Sequence, residues 1–145
     1  ASVTSENPST VIWISSVQGS LSLPSRSAYS ASKFAVAGFC DSLRAEWSDW
    51  CNVVAVSPGY VNTNLSVNAA TGVVGKTHGK VDDTTKNGID PSNLADIVVE
   101  RVERGDRRSE LKINWDLKTR IAVFLKFASP TTLMKIMASR HRKNK

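Results

Sequence analysis

Cysteine is scarce, long apolar runs are missing, and acidic residues all but vanish from the last quarter of this 145-residue sequence. Each shortage excludes something. Cys40 and Cys51 show neither CxxC nor metal-ligand spacing, which argues against a disulfide framework or zinc module and leaves two reduced thiols, buried or half-buried. His78 and His141 stand alone, without a second ligand at metal spacing, so no metal site is predicted and both read as surface residues. No stretch approaches the roughly 20 apolar residues that cross a bilayer. The opening ASVTSENPST has neither a basic start nor an apolar middle, so no signal peptide is read there. Position 1 is alanine and a strand begins within about ten residues of it, so the chain reads as a fragment.

What is present suits one soluble core, with 41% hydrophobic and 22% charged residues. The net charge of +6 is unevenly placed: residues 1–111 carry 10 Lys/Arg against 12 Asp/Glu, and residues 112–145 carry 9 against 1. A mildly acidic body argues against a nucleic-acid partner. The basic tail is left as a candidate surface for anionic lipid or an acidic partner.

TVIWIS at 10–15 is β-branched and nearly continuously apolar, as a strand buried on both faces of a parallel sheet would be. From Ala28 to about Asp49 no proline interrupts Ala31, Phe34, Ala35, Phe39 and Leu43 at three- and four-residue spacing, which predicts a long helix. NVVAV at 52–56 predicts a second buried strand, stopped by SPG at 57–59, so strand, helix and strand form a right-handed βαβ crossover. Residues 60–88 are polar and too long for a simple connection, and are expected to be a functional loop with a short helix. Asp90 and Pro91 predict a helix start and Gly105 its end. Residues 109–114 alternate as an edge strand does, and 115–139 predict two basic amphipathic helices broken at Ser129-Pro130. Trp13, Trp47, Trp50 and Trp115 read as packing residues.

Chemistry concentrates between the first strand and the long helix. Tyr29 and Lys33 stand four apart at the start of that helix, so both polar ends lie on one face. Ser16 stands at the carboxyl end of the first strand, where open α/β sheets place their ligands. A nearby ammonium favours a phenolate, which would make Tyr29 a usable proton donor and acceptor, and Ser16 could hydrogen-bond the oxygen that exchanges the proton. Such a set suits hydride transfer between a nicotinamide and an alcohol or ketone.

Taken in order, ISSVQG at 14–19, RSAYSASK at 26–33 and VSPGYVNT at 56–63 resemble the C-terminal half of the short-chain dehydrogenase/reductases over residues 10 to about 114. PSRSAY at 24–29, SPGYVNTNLSVNA at 57–69 and LMKIMASRHRK at 133–143 resemble one branch, the member 7 group, and carry the likeness into the tail. The resemblance implies an α/β fold, the C-terminal half of a doubly wound parallel-sheet Rossmann fold that is incomplete in this chain. On that basis residues 1–114 form a partial NAD(P)-binding domain without its first strands, and residues 115–145 form basic C-terminal helices.

By motif position the resemblance makes Ser16 the substrate-orienting serine, Tyr29 the acid/base and Lys33 the residue that binds nicotinamide ribose and tunes the tyrosine. Ser16 is preferred to Ser15 because it lies thirteen residues before Tyr29, the family's usual separation. Tyr29, Lys33, Pro58, Gly59, Val61 and Thr63 match cofactor-binding positions. The family's TGxxxGxG turn is absent, and Gly72, Gly75 and Gly79 follow no strand, so they do not replace it.

The resemblance further implies NAD(P), with NADP(H) favoured, although the residues present do not decide between the two cofactors. It implies a lipid-like or steroid-like alcohol or ketone as substrate, and a homodimer in which Phe34, Phe39 and Trp47 suit either the interface or a core. An intracellular site is expected, at an endoplasmic reticulum or peroxisomal membrane that the C-terminal helices contact, with RKNK at 142–145 faintly similar to a retrieval signal; the same apolar residues equally suit closing the substrate pocket or a subunit interface. The competing expectation is a catalytically incompetent truncated product, a scaffold or a membrane-surface module.

Overall fold

The computed structural model describes residues 8–71, 73–80, 83–106 and 108–143, so the readings at Ala1, Gly72 and the last two residues of RKNK lie outside the described residues. The elements in chain order are β1 (Ser9–Ile14), a 3-10 turn (Val17–Gly19), α1 (Ser27–Glu46), β2 (Cys51–Pro58), α2 (Asp83–Lys86), α3 (Pro91–Glu103), β3 (Glu110–Ile113), α4 (Leu117–Ala128) and α5 (Pro130–Lys143). They fall into two compact units, one of residues 1–58 with 107–145, the other of residues 59–106.

The first unit is built on a parallel sheet in the order β1-β2-β3. Ser9 to Ile14 of β1 pair with Cys51 to Val56, and Ala55 to Pro58 pair with Glu110 to Ile113. With a partner on each side, β2 is buried along nearly its whole length, and its valines suit that position. Cys40 and Leu43 of α1 pack on Cys51, Val53 and Ala55, with Val11, Trp13, Val36 and Trp47 around them. Both cysteines are free and buried, and burial pushes the Cys40 thiol above its usual value.

One expectation is overturned. β1 is not buried on both faces: Val11 and Trp13 turn to the α1 side, while Ile12 and Ile14 stay 37% and 56% exposed. The cause is position, because β1 is an outer strand of the sheet with α1 packed on one face, and successive side chains alternate. The tryptophans also divide. Trp115 is buried and its Nε1 donates to the Ser57 carbonyl at 2.7 Å, whereas Trp50 is 47% exposed and leans on Trp47.

Arg44, in the last turn of α1, ties the helix to β2 and to the residue that leads into β3: its Nε donates to the Val53 carbonyl at 3.0 Å, and its guanidinium also reaches Asp41 and the Ser109 carbonyl. After β3, Asp116 caps α4 by accepting from the Thr119 N–H at 2.8 Å, and the Thr119 side chain together with that backbone N–H holds its carboxyl below the usual range. Ser129 and Pro130 separate α4 from α5 as the sequence predicts.

In the second unit, the Asp90 carboxylate accepts from Ser92 and Asn93 and opens α3 with Pro91 in its first turn, and Gly105 follows the helix end at φ +67°. The long loop holds the short α2, a bridge between Val61 and Ile89, and a hydrogen bond between the buried Ser66 and Thr85 hydroxyls at 3.2 Å.

Candidate active site

The ladder of β1 against β2 continues one residue past the strand, where the Ser15 N–H donates to the Val56 carbonyl at 2.7 Å. Ser16 then turns the chain. It is extended and caps the 3-10 turn, its Oγ accepting from the Gln18 N–H at 3.2 Å while the Gly19 N–H donates to the Ser16 carbonyl at 2.8 Å. Because that Oγ bond uses an acceptor site, it leaves the hydroxyl hydrogen of Ser16 free to donate.

The turn lies directly on α1. A Cβ at Gly19 would come within 2.9 Å of the Lys33 carbonyl oxygen and 3.0 Å of Ser15 Oγ, so only glycine allows this approach. One helical turn away, the Ser30 hydroxyl donates to Gln18 Oε1 at 3.1 Å, both side chains being almost fully buried. Lys33 reaches the strand itself: its Nζ donates to the Ile14 carbonyl at 3.2 Å and stands 5.7 Å from the centre of the Tyr29 ring. These contacts gather Ser16, Tyr29 and Lys33 around the carboxyl end of β1.

Ser15 has a different environment. Its buried Oγ has no hydrogen-bond partner and lines a polar cleft with Gly19 and Ser20 of the turn and with Ala37, Asp41 and Arg44, which lie one to three turns further along α1 than Lys33. Pro58 closes β2 opposite Ile113. Gly59, Val61 and Thr63 belong to the second unit, where Val61 bridges Ile89 and Thr63 Oγ1 accepts from the Leu65 N–H at 3.3 Å. At the end of β1, Lys33 thus meets both Ile14 and the Tyr29 ring, and Ser16 opens the turn that packs on α1.

Sequence reasoning missed Gln18, Ser30 and Lys126. The first two are polar residues beside chemically conspicuous ones, and their pairing across the loop carries no local signal. Lys126 of α4 donates from Nζ to the Ser20 carbonyl at 2.8 Å, just after the turn that Ser16 opens, and burial pushes its ammonium below the usual value. Among the described residues no group of three or more His, Cys, Asp or Glu could hold a metal ion.

A family model described as short chain dehydrogenase matches residues 3–73. The dehydrogenase/reductase SDR family member 7B of Xenopus tropicalis is 45% identical over 136 residues, which is 93% of this chain and 43% of that protein. A member 7-like protein of Drosophila melanogaster is 44% identical over 90% of this chain and 39% of its own length. The chain thus spans less than half the length of these curated relatives. Among solved structures, a short chain dehydrogenase from Burkholderia cenocepacia in complex with NADP aligns at TM-score 0.64 and 22% identity, covering 92% of this chain and 48% of that one. A short chain dehydrogenase/reductase from Burkholderia phymatum in complex with NAD aligns at 0.67 and 19%, covering 83% and 47%. At those identities the structures show the shared Rossmann architecture, while the curated relatives, alike over nearly the whole chain, show more: the chain belongs to the short-chain dehydrogenase/reductase family.

Proposed function

We propose that this chain carries the catalytic residues of an NAD(P)-dependent oxidoreductase that interconverts an alcohol and a ketone. The observation that supports this most is the convergence of Ser16, Tyr29 and Lys33 on the carboxyl end of β1, the edge at which open α/β sheets bind ligands. The donor set fits a nicotinamide ribose and a reacting oxygen: a fixed ammonium, a phenol beside it and a hydroxyl with its hydrogen free. When bound, a nicotinamide dinucleotide supplies or accepts the hydride. Tyr29, Lys33 and Pro58 are the residues of the first unit that would hold it, and by the family resemblance alone Gly59, Val61 and Thr63 match further cofactor-binding positions.

The chain's own part is proton transfer. Tyr29 gives its phenolic proton to the carbonyl oxygen in reduction and takes it back in oxidation. Ser16 donates a hydrogen bond to the same oxygen, steadying the charge that develops there. Lys33, held by the Ile14 carbonyl, keeps a positive charge beside the phenol as its proton leaves. A lipid-like or steroid-like ketone with NADP(H) is the finer form of this reading, and it rests on the family resemblance.

The test uses a longer protein, this chain extended to the length of its curated relatives, with NADPH or NADH and three carbonyl probes: acetophenone, a long-chain aldehyde and a steroid ketone. Reduction of at least one probe is expected, and Tyr29→Phe should abolish it while leaving dinucleotide affinity within about twofold. A protein that reduces none of them, or a Tyr29→Phe variant with ordinary turnover, overturns the reading.

A second property is favoured by the outer face of α4. Leu117, Ile121 and Phe124 recur there at helical spacing and stay 72%, 50% and 68% exposed, among Lys118 and Arg120. We propose that this face contacts an anionic membrane surface peripherally.

A further inference from the structure

Ser16 and Tyr29 sit on different elements, so the geometry of proton transfer depends on whatever fixes the 3-10 turn against α1. We propose that Gln18 and Ser30 are positioning residues that set the separation between the Ser16 hydroxyl and the Tyr29 phenol, a proposal that rests on the catalytic reading of those two groups. Gln18 acts on both sides at once. Its backbone N–H donates to Ser16 Oγ, and its side-chain oxygen accepts from the hydroxyl of Ser30, the residue next to Tyr29.

The pair is well placed to act as a clamp. Gln18 is 4% exposed and Ser30 3%, so water does not compete for the bond, and loss of either partner strands a buried polar group. The Gly19 backbone packs against the Lys33 carbonyl, and Lys33 Nζ bonds to Ile14, so the turn and helix also meet one turn further along. Those two contacts hold the lysine end of the site. The Gln18–Ser30 bond ties the turn to α1 at the end where Tyr29 begins, and a shift of a fraction of an ångström between reacting groups is enough to slow a reaction severalfold to tenfold.

The test separates positioning from stability. In the longer protein, Ser30→Ala and Gln18→Met each strand a buried partner, so each should lower both the unfolding midpoint and kcat, the latter about tenfold, with dinucleotide affinity held within about twofold. The double variant Gln18→Met/Ser30→Ala replaces the polar pair with apolar groups of similar shape, and its unfolding midpoint should return towards the unaltered protein. Its kcat should stay down by the same factor as in the single variants, not by their product. A double variant that folds normally and turns over normally overturns the proposal, as do single-variant losses that multiply. Should a single variant fail to fold, the double variant decides alone. Tyr29→Phe, assayed alongside, separates the two ideas: ordinary turnover there defeats the catalytic reading and the clamp with it, whereas an inactive Tyr29→Phe beside a fully active double variant defeats the clamp only.

Discussion

The ammonium of Lys126 on α4 lies 4.0 Å from the centre of the Phe34 ring on α1. The same Nζ donates to the Ser20 carbonyl, so one side chain ties α4 both to the helix that carries Tyr29 and to the chain just past the Ser16 turn. Because α4 has no fully buried residue, this tie is a specific part of what orders it. Lys126→Met removes the cation–ring contact and the charged hydrogen bond, and should cost about 1 kcal/mol in denaturant unfolding at neutral pH.

The same lysine predicts a pH dependence. Burial moves its value below the ordinary 10.5, so between the two values the unfolded chain binds more protons than the folded one. Stability of the unaltered protein relative to Lys126→Met should therefore rise as pH climbs towards 10.5, and stay level near neutrality. Paired denaturation curves at neutral and alkaline pH measure this. A relative stability that falls with rising pH contradicts it.

Two glycines should respond to alanine with opposite signs. At Gly38, inside α1, an added Cβ meets nothing within 4 Å, so Gly38→Ala should stabilise by about 0.5–1 kcal/mol through helix propensity. At Gly88 the Cβ would sit 2.6 Å from the Tyr60 carbonyl oxygen and 2.8 Å from the Val61 nitrogen, beside the bridge from Val61 to Ile89. Backbone must move to admit it, and Gly88→Ala should cost about 1–3 kcal/mol. Thermal melting of the two variants checks the pair, and equal shifts would refute the packing described for Gly88.

Legibility in the sequence followed the range of the interaction. Tyr29 and Lys33 could be placed on one face because a helix fixes the geometry of residues four apart. The bounds of α3 were readable because Asp90, Pro91 and Gly105 act within a turn of where they stand. The exposure of Ile12 and Ile14 was not readable, since an outer and a central parallel strand can share one apolar composition and only the neighbours decide. Gln18 and Ser30 pair at a separation of twelve residues across a loop, and Lys126 reaches Ser20 across 106, separations at which no periodicity speaks.

Adjacent serines should separate cleanly. Ser16 caps the turn with its hydroxyl hydrogen free, while Ser15 Oγ faces the cleft of Asp41 and Arg44. Ser16→Ala should lower kcat about 10²-fold, the scale seen when one donor to a developing oxyanion is lost. Ser15→Ala removes a buried hydroxyl that has no partner, and should leave kcat within about threefold. Steady-state kinetics of the two variants decide, and the reverse order would shift the assignment by one residue.

The apolar face of α4 gives the last prediction. No helix among the described residues is long and apolar enough to cross a membrane, so contact there would be interfacial. The charge balance suits an anionic surface, with 9 Lys/Arg against 1 Asp/Glu over residues 112–145. Each basic side chain near such a surface contributes about 1 kcal/mol, and salt screens it over a Debye length of about 8 Å. Phe124 is a large exposed aromatic of this helix, and replacing it with serine removes apolar area without touching a charge. In flotation with phosphatidylserine vesicles, the longer protein should bind in low salt and release as salt rises, and Phe124→Ser should bind several-fold more weakly. Equal binding by both proteins defeats the membrane assignment. If Phe124→Ser instead converts a dimer to a monomer with lipid affinity unchanged, the face belongs to a second copy of the chain.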